Sequence, residues 1–404
     1  MRKIVISLDK FSQAKYLNDC ILNGKNKGET EFNVLIKDSQ TYSNVCAPIA
    51  GIVDFYKDQG IKIKISTPRN SYASHVRIYA PIEIESSQDS LFVAPFDKVW
   101  TFSSENAVYK IVAAFVKSLR EGAEIEKGIS QGIEWCMSEV LDNVLQHSEA
   151  GKGFAMAQMH KQNKTFSFCA FDTGVGIYNS LSKSKHNPKA PFQAIELAMQ
   201  ERITRDEKIG QGNGLWGFSQ IIKETNGRFI ISSGGAKYSY LNGAESRVGS
   251  GDFNLGKEFG TTMIDFQMDY SVPIDILKAL NGYEPLDLWN ENHETDAGTI
   301  LIDVEKESNG TGTRKSAEKM RNIVLNFLKE GYSSVTLDFK KVDLVSSSYA
   351  DELIGKLVAL LGFSKFMQYI VVSNVNEFNE AVINRSVGQR MAQSFMDISF
   401  DETD

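Results

Sequence analysis

Residues 130–147, SQGIEWCMSEVLDNVLQH, set apolar side chains at Ile133, Met137, Val140, Leu141 and Val144. That spacing predicts an amphipathic helix. Residues 165–171 (TFSFCAF) alternate apolar and polar, as a half-buried strand does. Residues 215–227 (LWGFSQIIKETNG) return to helical spacing. Further on, TILIDV (299–304), SVTLDF (334–339) and YIVVS (369–373) read as strands. A helix over 314–330 separates the first two, with Ala317, Met320, Val324 and Phe327 on one face and Gly331 as its stop. Another helix starts near Ser348, and a last one follows from about Asn376. Strands alternating with helices imply βαβ units and a partly parallel sheet. Near the N-terminus, residues 31–66 read as strand, helix, strand, and VRIYAPIEI (76–84) adds a further alternating strand. A helix led by Ser103-Ser104 covers 104–121.

The polar positions inside this pattern carry the chemistry. Glu139, Asn143 and His147 recur at i, i+4 and i+8, so they line one face of the predicted helix. A carboxylate and a carboxamide aimed at a pocket suit Mg²⁺, which takes few protein oxygens and completes its octahedron with phosphate and water. Asn143 is placed as a ligand, and Glu139, one turn earlier, to polarise a water or a hydroxyl. A solvated polar stripe would look the same in the helix alone. The strand at 165–171 ends in Asp172-Thr-Gly-Val-Gly-Ile177. A carboxylate there can accept from the exocyclic amine of adenine, and Gly174 and Gly176 let backbone approach a flat base. An Asx-capped turn is the plainer reading of the same residues. Residues 210–217 then place four glycines just before a helix, where backbone N–H groups and the helix dipole favour phosphate. This cluster follows a long polar loop and not a strand, and no Walker Gly-Lys-Ser/Thr is present, so neither a Rossmann nor a P-loop reading applies.

Taken in order, these pieces resemble the GHKL (Bergerat-fold) ATPase superfamily of gyrase, histidine kinases and anti-sigma-factor serine kinases. Glu139 and Asn143 match its N box, Asp172, Gly174, Gly176 and Ile177 its G1 box, and Gly210, Gly212, Gly214 and Leu215 its G2 box. Gly260-Thr261-Thr262 matches its final strand, where a hydroxyl sits near the adenine. The match covers about residues 100–270. It implies an α/β sandwich with a mixed sheet packed on helices, ATP and Mg²⁺ as cofactors, and a lid at residues 178–211. Residues 234–258 form a longer hairpin insertion than the small kinases have.

Composition narrows the class. The chain has 404 residues, 42% apolar and 24% charged, with a net charge of −7. That is enough for two or three globular domains. Basic residues do not run together, so a nucleic-acid surface is not indicated. Cys20, Cys46, Cys136 and Cys169 lack C-x-x-C spacing, and Cys136 and Cys169 sit in apolar patterns as reduced core thiols would. MRKIVISLDKFSQ breaks its apolar run at once, unlike a signal peptide, and no eighteen-residue apolar window exists. The expectation is a cytosolic protein without a membrane segment.

The C-terminal part resembles STAS domains, the fold of anti-sigma-factor antagonists. The stretch that carries this is LDFKKVDLVSSSYADEL (337–353), in which Ser346 stands for the usual Asp and Tyr349 for the usual Gly. The resemblance implies a phosphoacceptor at Ser348, with Ser347 beside it. Ser348 followed by Asp351 also reads as an ordinary capping box. The expected organisation is an N-terminal α/β domain at 1–95, itself a degenerate STAS-like copy with Ser43 before its middle helix. A GHKL domain at 96–275, a linker at 276–298 and a STAS-like domain at 299–404 follow. Two function classes stay open: an ATPase or protein serine kinase in partner switching, or a nucleotide-gated interaction switch with little turnover. Either implies a protein partner, such as a STAS protein, a sigma-regulator or another signalling protein. A homodimer stays open as well.

Overall fold

The computed structural model describes residues 2–10, 12–37, 40–68, 71–84, 88–201, 214–248, 255, 260–283 and 285–400. It forms two compact units, residues 1–115 with 131–284, and residues 116–130 with 285–404. Both are α/β.

The first unit is built on an eight-stranded mixed sheet. Its strands are β4 (Ile82–Glu83), β5 (Trp100–Phe102), β6 (Gly153–His160), β7 (Thr165–Asp172), β8 (Arg228–Ser233), β9 (Ala236–Leu241), β10 (Ala244–Val248) and β11 (Thr262–Asp269). The spatial order is β10-β9-β8-β11-β7-β6-β5-β4. Pairing is antiparallel except between β4 and β5. Alternation along β7 and β11 sends Phe166, Phe168 and Phe266 to one face. There Phe115 and Phe218 meet them at ring distances of 6.2 Å (to Phe168) and 5.5 Å (to Phe266).

The other face is covered from the N-terminal segment. Strands β1 (Arg2–Ile6), β2 (Glu31–Ile36) and β3 (Lys62–Ser66) make a small parallel sheet in that order, connected by helices α1 (Ser12–Lys25) and α2 (Ser43–Asp58). Helix α2 is buried all round, as its almost wholly apolar middle requires. It shares one core with Phe154, Met156, Cys169, Phe171 and Met263 of the large sheet. Gly51 allows the approach, because a Cβ there would lie 2.5 Å from the Phe171 ring. The expected strand over 76–84 shrinks to the two residues of β4. Arg77 turns with a left-handed φ of 66°, and Pro81 has no N–H to donate to a ladder.

Helices α3 (Glu105–Gly122), α4 (Ile129–His147) and, further along, α5 (Gly214–Glu224) lie along the chain between these strands. Ser104 Oγ accepts from Ala107 N and opens α3 as a helix cap.

The second unit holds strands β12 (Ile300–Asp303), β13 (Val335–Asp338) and β14 (Ile370–Ser373) in parallel, with helix α6 (Arg314–Glu330) between the first two. Thr313 caps α6 and Gly331 ends it in a left-handed conformation. The two small sheets share one order, three parallel strands with the second central and helical connections between them. In the second unit α6 also holds the segment 116–130. Asn326, 1% exposed, donates to the carbonyls of Arg120 and Ala123 and accepts from Ile125 N, all at 2.9–3.0 Å. Asn322 donates to Glu121 O, and Glu330 accepts from Gly128 N. Arg120, wholly buried, donates to Ser130 Oγ and lies over the rings of Trp289 and Phe327.

Asn326→Ala should destabilise the second unit by about 1–3 kcal/mol, because two buried carbonyls and one N–H lose their partner. Urea unfolding measures this. A loss below about 0.5 kcal/mol, the level of an ordinary surface change, would show that the grip on 120–125 is incidental.

Candidate functional site

The polar face of α4 and the end of β7 come together through one tight contact. Ser148, just past the end of α4, accepts through its carbonyl from Val175 N at 2.7 Å. The backbone of Gly174 lies so close that a Cβ would overlap the Ser148 carbonyl. Glycine is required here by the approach of backbone to backbone, not by its own dihedral angles. Gly176 does need its freedom, with φ at 77° where a short helix, Gly176–Ser182, begins.

Asp172 is 2% exposed at the last position of β7. Its Oδ1 accepts from Gly174 N at 2.8 Å, so the Asx turn is present. On either side the register sets it opposite Gly153 of β6 and Thr262 of β11. Thr262 Oγ1 lies 3.1 Å from Ser233 Oγ. Ser233 Oγ also accepts from Ile177 N at 2.9 Å and donates to Thr261 O at 2.9 Å. Ser233 therefore ties the turn after Asp172 to the start of β11. Nothing in the sequence singles it out, since its role depends on the β8–β11 register. Thr261 is a second surprise: a buried β-branched residue with φ at 68°, whose N donates to Gly174 O at 3.0 Å. Such a conformation costs about 1–3 kcal/mol and persists only where surroundings impose it.

Glu139 and Asn143 lie half-buried on α4. They face the start of α5, where a Cβ on Gly214 would overlap the Glu139 carboxylate and lie 3.9 Å from Asn143 Nδ2. So Glu139, Asn143 and Gly214 lie together, with Leu215 in the following half-buried position. Gly217 lies inside α5 and not before it. It gives close packing against Trp135 and Leu280, so it serves the core and not a phosphate loop. Gly210 and Gly212 lie outside the described residues. Of the expected lid, residues 178–201 are described. They carry the end of the Gly176–Ser182 helix and the helix Pro191–Ala198. Burial, with help from Asp142, pushes the Glu139 carboxyl up to about 7. Asp142 is raised too, by burial and Glu105. An acid that gives up its proton near neutrality is matched to base catalysis.

In the second unit the helix after β13 begins at Ser347, and its cap is Ser346, whose Oγ accepts from Tyr349 N. The capping box expected at Ser348 is thus displaced by two residues. Ser347 is exposed, and Ser348 is half-buried with its Oγ 3.1 Å from Ser346 Oγ. The helix passes at once into a π-helical turn, Asp351–Gly355. All four cysteines are free thiols. No helix among the described residues is long and apolar enough to cross a membrane.

A family model described as "STAS-like domain of unknown function (DUF4325)" matches residues 316–380. The C-terminal part is accordingly a STAS-like domain. No curated protein matches the chain. Among solved structures, the 43K ATPase domain of Thermus thermophilus gyrase B in complex with an aminocoumarin matches over 45% of this chain and 45% of its own. Identity is 14% and the TM-score 0.21, so the likeness decides nothing about the site.

Gly174→Ala should cost at least the upper part of the usual 1–3 kcal/mol for overpacking, because the obstacle is backbone. A variant with wild-type thermal stability would remove the close approach as a constraint. The raised Glu139 pKa also fixes a sign. Between the ordinary 4.5 and about 7 the native state holds a proton that the unfolded chain releases, so this group's contribution to stability falls as pH rises through that window. Glu139→Gln should flatten the slope, as read by urea unfolding at about pH 5 and about pH 8. An unchanged slope would show that the carboxyl titrates normally.

Proposed function

We propose that the first unit binds Mg·ATP between α4 and the Asp172–Ile177 turn, in the manner of the GHKL superfamily, and that the protein signals through it. The observation that carries this is the convergence of Glu139 and Asn143 on Gly214, while Asp172, Thr262 and Ser233 gather at the adjoining strand ends. These residues fit the nucleotide and its metal. A glycine lies where any side chain would fill the space before Glu139, and the donor set is the oxygen-rich one Mg²⁺ takes. Asn143 would hold the ion through its carboxamide oxygen. Asp172 would accept the adenine amine, with Thr262 beside it. Gly214 and the Gly210 and Gly212 backbone would face the phosphates. The bound ion supplies charge neutralisation for phosphoryl chemistry. Glu139 would take a proton from a water or from a serine hydroxyl, which distinguishes an ATPase from a protein serine kinase. In the kinase version the acceptor is Ser348 or Ser347, or the matching serine of a separate STAS partner. A phosphate in that first helical turn would be favoured by the helix dipole.

A nucleotide-gated switch with little turnover is the second reading. It is favoured by the hold of Asn326 on residues 120–125, since the chain runs from that held segment directly into the helix that bears Glu139 and Asn143.

Asp172→Asn should weaken ATP binding by about 1.5–3 kcal/mol, the range for a hydrogen bond to a charged group. Glu139→Gln should bind Mg·ATP nearly normally and lose turnover by about 10²–10⁴-fold. Calorimetry and phosphate release measure the two. Unchanged affinity in the first variant would refute the adenine assignment. Negligible phosphate release by the wild type would leave the switch. Transfer of a γ-label to Ser347 or Ser348, lost in Glu139→Gln, would select the kinase.

A further inference from the structure

The face of the eight-stranded sheet turned away from Glu139 is not completely covered. Helix α2 packs over its middle, but at the N-terminal end of α2 the sheet opens into a cavity of about 1410 Å³. Its floor is built from polar side chains. Ser43 N, at the first turn of α2, donates to Gln158 Oε1 at 2.9 Å. Gln158 Nε2 donates to Thr41 O and to Asp97 Oδ1. Asn44 Nδ2 donates to Asp265 Oδ2 at 3.0 Å. Each of these bonds crosses a large sequence separation, so the floor is a built structure and not a local turn.

Asp265 is the anomaly. It is 3% exposed, two residues along β11 from Met263, which lies on the same face in the apolar core. Its Oδ1 is buried and accepts no hydrogen bond. An unfilled acceptor on a buried carboxylate is costly, and a donor arriving from the cavity would remove that cost. Burial raises the Asp265 carboxyl to about 7, against the pull of Asn44, Arg228 and Lys237. Asp9, Asp97 and Asp269 line the same cavity, against Lys161 and Arg228 as its cationic lining. The field inside therefore favours a cation. Among the described residues no three His, Cys, Asp or Glu side chains converge to hold a metal. Acceptors that are spread out suit donors that are likewise spread along a molecule. Tyr72 in the wall adds aromatic surface of the kind that attracts ammonium groups.

We propose that this cavity is a second ligand site, and that it takes a small aliphatic amine whose ammonium group donates to Asp265. The inference does not rest on the nucleotide reading, since it uses the opposite face of the sheet and none of the residues assigned to ATP.

Calorimetry and thermal unfolding of the full chain with putrescine and spermidine test it, with 1,4-butanediol and Mg²⁺ as controls at constant ionic strength. The expected result is saturable binding of the amines, with a rise in Tm that neither control produces. Asp265→Asn should weaken amine binding at least tenfold with its circular dichroism spectrum unchanged. Arg228→Gln, exposed at the rim, should tighten it, and this variant decides the matter if Asp265→Asn fails to fold. Equal responses to the diol or to Mg²⁺, amine affinity unchanged in Asp265→Asn, or no tightening in Arg228→Gln would overturn the proposal.

Discussion

The contact between Ser148 and Gly174 is the constraint on which the candidate site depends. One belongs to the end of the helix that bears Glu139 and Asn143, the other to the turn that follows Asp172. A hydrogen bond from Val175 N to Ser148 O and the absence of a Cβ on Gly174 bring the two backbones into contact. Everything further along builds on that closure. Thr261 N reaches Gly174 O, Ser233 reaches Ile177 N, and the strained Thr261 is held in place by these bonds from both sides. A site assembled by backbone contacts is rigid at its base, as the nucleotide reading proposed for it requires.

The first unit has a second economy. Helix α2 serves as core for two sheets at once, and Gly51 is the residue that makes room for it against Phe171. This explains why its middle reads as apolar on every side and why the N-terminal segment forms one compact unit with the large sheet. The second unit follows the same logic with polar tools. A buried asparagine, Asn326, supplies three hydrogen bonds to a turn that would otherwise carry unpaired backbone groups.

Much of this was legible in the sequence because the pattern was strong and local. The α4 periodicity, the alternation of TFSFCAF and the ordered Asp-x-Gly-x-Gly and Gly-rich pieces each announce their element. What stayed hidden depends on pairing between distant segments. Ser233 gains its role only from the β8–β11 register, and Asp265 looks like any polar residue of an alternating strand until the first turn of α2 sets Asn44 against it. Alternation predicts a strand over all of 76–84, but Pro81 and the turn at Arg77 cut it to two residues. Composition groups Gly217 with the other glycines of 210–217, although its neighbours Trp135 and Leu280 give it a packing role. The cap moved from Ser348 to Ser346 because three successive serines offer the same chemistry and only geometry selects among them.

The central claim is that Asp172 reads adenine beside a metal site at Asn143. A calorimetric titration of the full chain with ATP and with GTP, each with and without Mg²⁺, tests it most directly. The account predicts one ATP per first unit, tighter with Mg²⁺, and GTP weaker by at least about tenfold, or ~1.4 kcal/mol, because guanine presents a carbonyl where adenine presents its amine. No saturable ATP binding, or equal affinity for the two nucleotides, would contradict it.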